Sequence, residues 1–268
     1  MVDKESMLRE LARQDYELLR TRPRPADDTP SLKAYFAPAG ETLPQGVDRF
    51  HALATEFVGA NPFVEGWIVV RTPQDHAAKT GLYVLENNDE FLDFLRKRKT
   101  RDDHFTINAS AFSTQINPGD RYTATGTINY SGGTSKFRSD KLYFSAGASD
   151  VRDNNLTLQE YLTMIRLIVA WREPRLIVVG SGTYETYDRV FWHRAWNGWI
   201  GWFPQKIDPS ILPDFAMTWR IGNGTAVATQ ETNVLSRYPD QRQRANEVEM
   251  ALTDAGILPT TDEVLGVN

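Results

Sequence analysis

Two stretches near the middle of the chain alternate apolar and polar residues with a period of two. Phe105, Ile107, Ala109 and Ala111 are separated by Thr106, Asn108 and Ser110, while Tyr122, Ala124, Gly126, Ile128 and Tyr130 are separated by Thr123, Thr125, Thr127 and Asn129. Successive side chains of a strand point to opposite faces, so this pattern calls for strands with one apolar and one wetted face. Gly132-Gly133 supplies a turn before a further strand carrying Leu142 and Phe144. Together these segments predict an antiparallel meander.

Helical periodicity surrounds this meander. Val47 to Ala60 places Phe50, Leu53, Ala54, Phe57 and Val58 on one face, and Asn61-Pro62 separates that helix from a strand over Phe63 to Val70. Asn88 to Lys99 carries acids Asp89 and Glu90 early and bases from Arg96 to Lys99 late, which complements a helix dipole. Leu158 to Glu173 follows a capping box of Thr157 and Glu160, and Leu176 to Val179 reads as a short apolar strand. Phe215, Met217, Trp219 and Ile221 alternate into the Gly222-Asn223-Gly224 turn, from which Thr225 to Thr229 returns. A last helix from Asp240 directs Ala245, Val248, Leu252 and Ala255 inward and stops at Gly256. The expected class is α+β, a mostly antiparallel sheet with helices packed against it. Asp3 to Thr21 reads as an amphipathic helix that the Pro-rich stretch Arg22 to Pro30 is expected to set apart as an appendage (residues 1–30), leaving one α+β domain over residues 31–268. The appendage either serves a homodimer or packs on the domain.

Composition removes several function classes. With 268 residues the chain can bury a sizeable core, and with 0 cysteines it has no disulfide, thiol or Cys-ligated metal chemistry. A net charge of −5 argues against direct nucleic-acid binding and suits a basic protein partner. The N-terminus lacks an apolar signal region, and the run Leu162 to Trp171 is too short for a membrane span, so a cytoplasmic protein without membrane contact is expected.

Catalytic motifs are also missing. There is no Gly-Lys pair for a phosphate loop, no Gly-x-Ser-x-Gly elbow, and His51, His76, His104 and His193 are scattered. No lysine follows an acid by two residues, as a restriction-type metal site requires. Gly180-Ser181-Gly182-Thr183-Tyr184 resembles the start of a dinucleotide fingerprint, but Glu185 replaces its last glycine, and Tyr184 to Tyr187 does not read as a helix start. The chain is therefore expected to be no enzyme, with no catalytic residue, metal or cofactor.

Four of the seven tryptophans, Trp192, Trp196, Trp199 and Trp202, fall in one segment. They either fill the core or form an exposed platform for carbohydrate or peptide. The segment Tyr184 to Pro204, with Trp196 and Gly198-Trp199, resembles the bacterial immunity protein 52 family. The likeness continues through Arg244-Ala245-Asn246-Glu247-Val248-Glu249, Asp254-Ala255-Gly256 and Leu258-Pro259, and upstream through Asn61-Pro62-Phe63 and Gly66-Trp67. The resemblance implies an antitoxin encoded beside a polymorphic toxin, a type VI secretion effector with a restriction-endonuclease-like nuclease domain. It also implies structural roles for the motif residues Gly66, Trp67, Trp196, Gly198, Trp199, Asn246, Glu247, Glu249, Asp254 and Gly256. For contact with a basic toxin, the acidic candidates are Glu185 and Asp188 before the aromatic block, Asp150 and Asp153 in a polar loop, and Glu86 with Asp89.

Overall fold

The computed structural model describes residues 10, 13–18, 21–22, 29–70, 74, 81–98, 103–116, 119, 124–133, 139–146 and 156–266. Its strands are β1 (Pro30–Phe36), β2 (Gly66–Val69), β3 (Leu82–Tyr83), β4 (Phe105–Phe112), β5 (Gly126–Gly132), β6 (Asp140–Ala146), β7 (Leu176–Ser181), β8 (Ile200–Phe203), β9 (Met217–Ile221) and β10 (Gly224–Ala228). They form one sheet in the order β3-β2-β4-β5-β6-β1-β7-β8-β10-β9, and every paired neighbour is antiparallel. The α+β class with a mostly antiparallel sheet is the architecture observed.

β1 lies outside the strands expected from the sequence, yet it joins the two halves of the sheet. Leu32 pairs with Phe144 of β6 on one side and with Val179 of β7 on the other. Leu32, Ala34 and Phe36 are buried toward the helices, whereas Lys33 and Tyr35 point the opposite way and are only half-buried.

The helices are α1 (residues 13–18), α2 (Leu43–Phe57), α3 (Asn88–Lys97), α4 (Leu158–Trp171), α5 (Gly182–Tyr187), α6 (Pro239–Asp254) and α7 (Thr261–Leu265). α2 starts before the expected Val47 because Thr42 and Gln45 form a capping box, with the Thr42 N–H donating to Gln45 Oε1 at 2.9 Å. It also ends earlier than expected. Val58 is extended and 37% exposed, so it does not share the buried face of Phe50, Leu53, Ala54 and Phe57. α4 begins at the anticipated Thr157–Glu160 box, whose Thr157 N–H lies 2.6 Å from Glu160 Oε2. The expected strand over Phe63 to Val70 shortens to β2 because the Phe63 N–H turns back to Asn61 Oδ1 at 3.0 Å. The expected strand from Tyr122 shortens to β5, with residues 121–123 outside the described set.

α2 and α4 cover one face of the sheet. Phe57 of α2 meets Phe144 edge-on at 5.8 Å, and Trp171 of α4 meets Phe36 and Tyr130 edge-on at 5.5 Å each. Farther along, Tyr161 meets Trp199 at 5.4 Å. An ion network closes this layer at one end: Arg172 contacts Asp140 at 2.8 Å and the Tyr130 hydroxyl at 3.1 Å, and that hydroxyl donates to Glu41 at 2.8 Å. Arg49 pairs with the other oxygen of Glu41.

The second face differs along its length. Over β4, β5 and β6 it presents Thr106, Asn108, Thr127 and Lys141 to solvent, the wetted face that the alternation predicts. Over β7 it is covered by the Trp196 loop, whose ring lies on Gly180 so closely that an added Cβ would sit 2.6 Å from it. α5 and α6 pack around this loop. α1 joins the same side: Tyr16 is buried, donates its hydroxyl hydrogen bond to the Arg189 carbonyl, and lies under the Arg189 guanidinium at 5.4 Å.

Candidate functional site

α6 buries Ala245, Val248 and Leu252 as its periodicity requires, while Ala255 falls beyond the last helical turn and is exposed. Glu249 lies on the same buried stripe, one turn after Ala245, and is 1% exposed. Its two oxygens accept from different backbone N–H groups, Oε1 from Asn197 at 3.0 Å and Oε2 from Val190 at 2.9 Å. The Gly198 N–H and the Tyr184 hydroxyl also face the carboxylate. Desolvation outweighs these donors and pushes the Glu249 pKa up to about 7. Tyr184, fully buried and facing that carboxylate, is raised well above the ordinary tyrosine value for the same first reason.

The Tyr184 hydroxyl also lies 2.9 Å from Asn246 Oδ1, on the outward side of α6. Asn246 lines a cavity of about 420 Å³ together with Asp188, Pro239, Arg242, Gln243, Glu247 and Met250. Beside it, Tyr238 is 44% and Met250 42% exposed, so a hydrogen-bonding depression is flanked by an aromatic and a thioether side chain open to solvent. The site can hold a protruding side chain or a short peptide segment by hydrogen bonds and apolar contact.

The acidic candidates do not form one patch. Asp188 is corrected: it is 3% exposed and its Oδ1 lies 3.6 Å from Arg242 Nε, a structural pair rather than an open surface acid. Glu185 is half-buried and paired with Lys33, whose ammonium also lies 5.7 Å from the centre of a Trp196 ring. Glu86 and Asp89 are exposed at the entry to α3, away from this cavity's lining. Asp150 and Asp153 lie outside the described residues.

The motif residues have definite places. Trp67 is buried and donates to the Ala54 carbonyl at 2.8 Å, with Gly66 beside the Phe112 ring. Trp196, Trp199 and Trp202 are buried, and Trp199 and Trp202 donate to Gln230 and Ile221 carbonyls. The rings an open aromatic platform would use are thus inside the protein; Trp192 alone of the four is partly exposed. Gly198 adopts φ +57 where the chain turns under Trp196, and Gly256 adopts φ +68 just past α6. Glu247 accepts from Gln243 at 2.8 Å, and Asp254 is exposed at the end of α6.

The Gly180-Ser181-Gly182 segment also needs correction, because a helix does open there. Ser181 Oγ caps it by accepting from the Tyr184 N–H at 3.1 Å, and burial of Tyr184 holds the turn. The six-residue α5 follows a strand with antiparallel neighbours and a glycine covered by Trp196, an arrangement unlike a parallel βαβ nucleotide site. Among the described residues no cluster of three His, Asp or Glu side chains is placed to hold a metal ion, and no helix is long and apolar enough to cross a membrane.

No protein-family model matches the chain, and no curated protein matches it by sequence. The likeness found is to solved structures, in fold. The Pseudomonas aeruginosa T6SS protein PA0821 is similar at a TM-score of 0.53 with 12% sequence identity, over 94% of this chain and 82% of that one. The likeness is one of fold.

Proposed function

We propose that this chain is an immunity protein that neutralises a cognate nuclease-type toxin of a type VI secretion system by stoichiometric contact, without turnover. The observation that carries this reading is the fold shared with a T6SS protein across 94% of the chain. The immunity-family resemblance in residues 184–204 and 244–259 supports it independently, because those segments build the α5–α6 corner around Glu249. The docking surface is the outward side of α6. Tyr238 and Met250 are anchors of the kind that dominate protein interfaces, and the cavity between them offers amide, guanidinium and carboxylate groups to a partner. A specific interface needs about 1,600 Å² in total, so the contact extends beyond the α6 cavity. The net charge of −5 favours encounter with a basic nuclease domain.

The test is co-expression with the toxin encoded beside it. A complex that survives size-exclusion chromatography is expected, and Tyr238→Ala with Met250→Glu should disperse it while the free variant keeps its fold. Separate elution of the two wild-type proteins would contradict the reading.

A further inference from the structure

The sheet ends in two unlike edges. At one end β3 is only two residues long, and Tyr83 packs its ring edge-on against Phe112 at 5.9 Å, so little backbone is open to pairing. At the other end β9 runs five residues in unbroken register with β10, from Ile221↔Gly224 to Met217↔Ala228. Among the described residues no strand lies beyond it. The direction of its hydrogen bonds follows from β10. The Thr229 N–H donates to the Trp199 carbonyl at 3.0 Å, so by alternation Thr225 and Val227 bond toward β8, while Gly224, Ala226 and Ala228 bond toward β9. Their partners Ile221, Trp219 and Met217 are thereby satisfied, and the backbone N–H and C=O groups of Thr218 and Arg220 point out of the sheet. On that side neither residue finds a backbone partner among the described residues.

Edge strands are usually guarded against pairing, and β9 lacks the guards. It carries no proline, lysine or bulge, and its single charge is turned away: the Arg220 guanidinium lies 3.3 Å from Thr225 Oγ1, over the neighbouring strand. Trp219 is half-buried, and its indole N–H makes no hydrogen bond among the described residues, unlike those of Trp67, Trp171, Trp199 and Trp202. We infer that β9 pairs antiparallel with β9 of a second copy of this chain, about a two-fold axis at Trp219. The strand is its own complement. In the register that overlaps its whole length, Trp219 faces its counterpart, Thr218 faces Arg220, and Met217 faces Ile221. The outward N–H and C=O groups of Thr218 and Arg220 are then satisfied across the axis. The two tryptophan rings meet on the face that α4 covers, and no like charges stand directly opposite. An unlike partner selected by charge finds no acid and no open cation on β9 to recognise, which favours the second copy. Two short edges bury less than the ~1,200 Å² of a stable interface, so the dissociation constant is expected on the order of 10–100 µM.

Sedimentation velocity on the free, full-length protein tests the pairing, from about 1 µM to about 0.5 mM, a range that brackets the affinity of so small an interface. The wild type is expected to show a monomer–dimer equilibrium. Thr218→Pro removes an outward N–H that nothing within the described chain uses, so it should keep the monomer's circular dichroism and weaken dimerisation about tenfold or more. Cross-linking reads the register, because the chain has 0 cysteines of its own. Thr218→Cys mixed with Arg220→Cys should oxidise to a disulfide-linked heterodimer in far higher yield than either variant alone, since directly paired positions suit disulfide geometry. A wild type that stays monomeric throughout, a dimer unaffected by Thr218→Pro, or equal cross-linking in the mixture and the single variants overturns the proposal. So does a monomer whose toxin binding is lost in Thr218→Pro, which would assign the edge to the toxin instead. The cross-link decides if the proline variant fails to fold. Sedimentation and cross-linking involve no toxin, so this inference and the immunity reading fail separately.

Discussion

Glu249→Gln offers a direct check on how this corner of the protein is held. The folded carboxyl titrates at about 7, against 4.5 for an unburied glutamate. An acid whose pKa is raised by folding binds its proton more tightly in the folded state. Its contribution to stability is fully present below pH 4.5 and is lost as pH rises through 7. At roughly 1.4 kcal/mol for each tenfold change in proton affinity, that loss is about 3 kcal/mol. The glutamine cannot titrate, but its amide sets an NH₂ against the Val190 or Asn197 N–H, at a pH-independent cost of about 1–3 kcal/mol. The variant should therefore be clearly less stable than wild type near pH 5 and approach parity above neutrality. Urea unfolding of both proteins between pH 5 and pH 8 measures this, and taking their difference cancels the other carboxylates. A difference that stays constant across that range, or grows with pH, refutes the reasoning.

Other expectations concern the frame around the site. Arg172→Met removes the cation between buried Asp140 and the Tyr130–Glu41 pair, and should cost about 3–5 kcal/mol in chemical denaturation. Adding Asp140→Asn to that variant should recover part of the loss, because the stranded charge is gone. Gly224→Ala places a Cβ against the Phe203 carbonyl oxygen and the Trp202 ring. The overlap forces both to shift, so a loss of at least 1–3 kcal/mol is expected in thermal or urea unfolding, as for other overpacked sites. The buried Trp67, Trp196, Trp199 and Trp202 should give blue-shifted fluorescence that moves red on unfolding and ignores added oligosaccharide. A saccharide-dependent shift in the folded protein would favour the aromatic platform instead.

Much of the fold was legible because the period-two pattern of β4, β5 and β6 reflects one wetted face, and the capping box of α4 is local chemistry. β1 escaped notice although Leu32, Ala34 and Phe36 alternate with Ser31, Lys33 and Tyr35; its place between β6 and β7 is fixed by partners more than a hundred residues away. α5 escaped because a short helix held by one buried tyrosine carries almost no periodic signal. The resemblance already marks Glu249 as structural, and its burial is also legible from the stripe of Ala245, Val248 and Leu252, where a carboxylate must be desolvated. Nothing near Asp188 announces its burial, which depends on Arg242 arriving from α6. The tryptophan segment favoured the core and left a surface reading open beside it, and the packing of Trp196 on Gly180 resolves it toward the core.

Neutralisation by contact is tested most directly by titrating the toxin's nuclease activity. A fixed amount of the nuclease domain is mixed with increasing amounts of this protein, and DNA degradation is followed. Activity falling linearly to zero at equal molar amounts, with Tyr238→Ala/Met250→Glu failing to inhibit, is the predicted result. Undiminished degradation at a large molar excess of the folded wild-type protein would contradict the account.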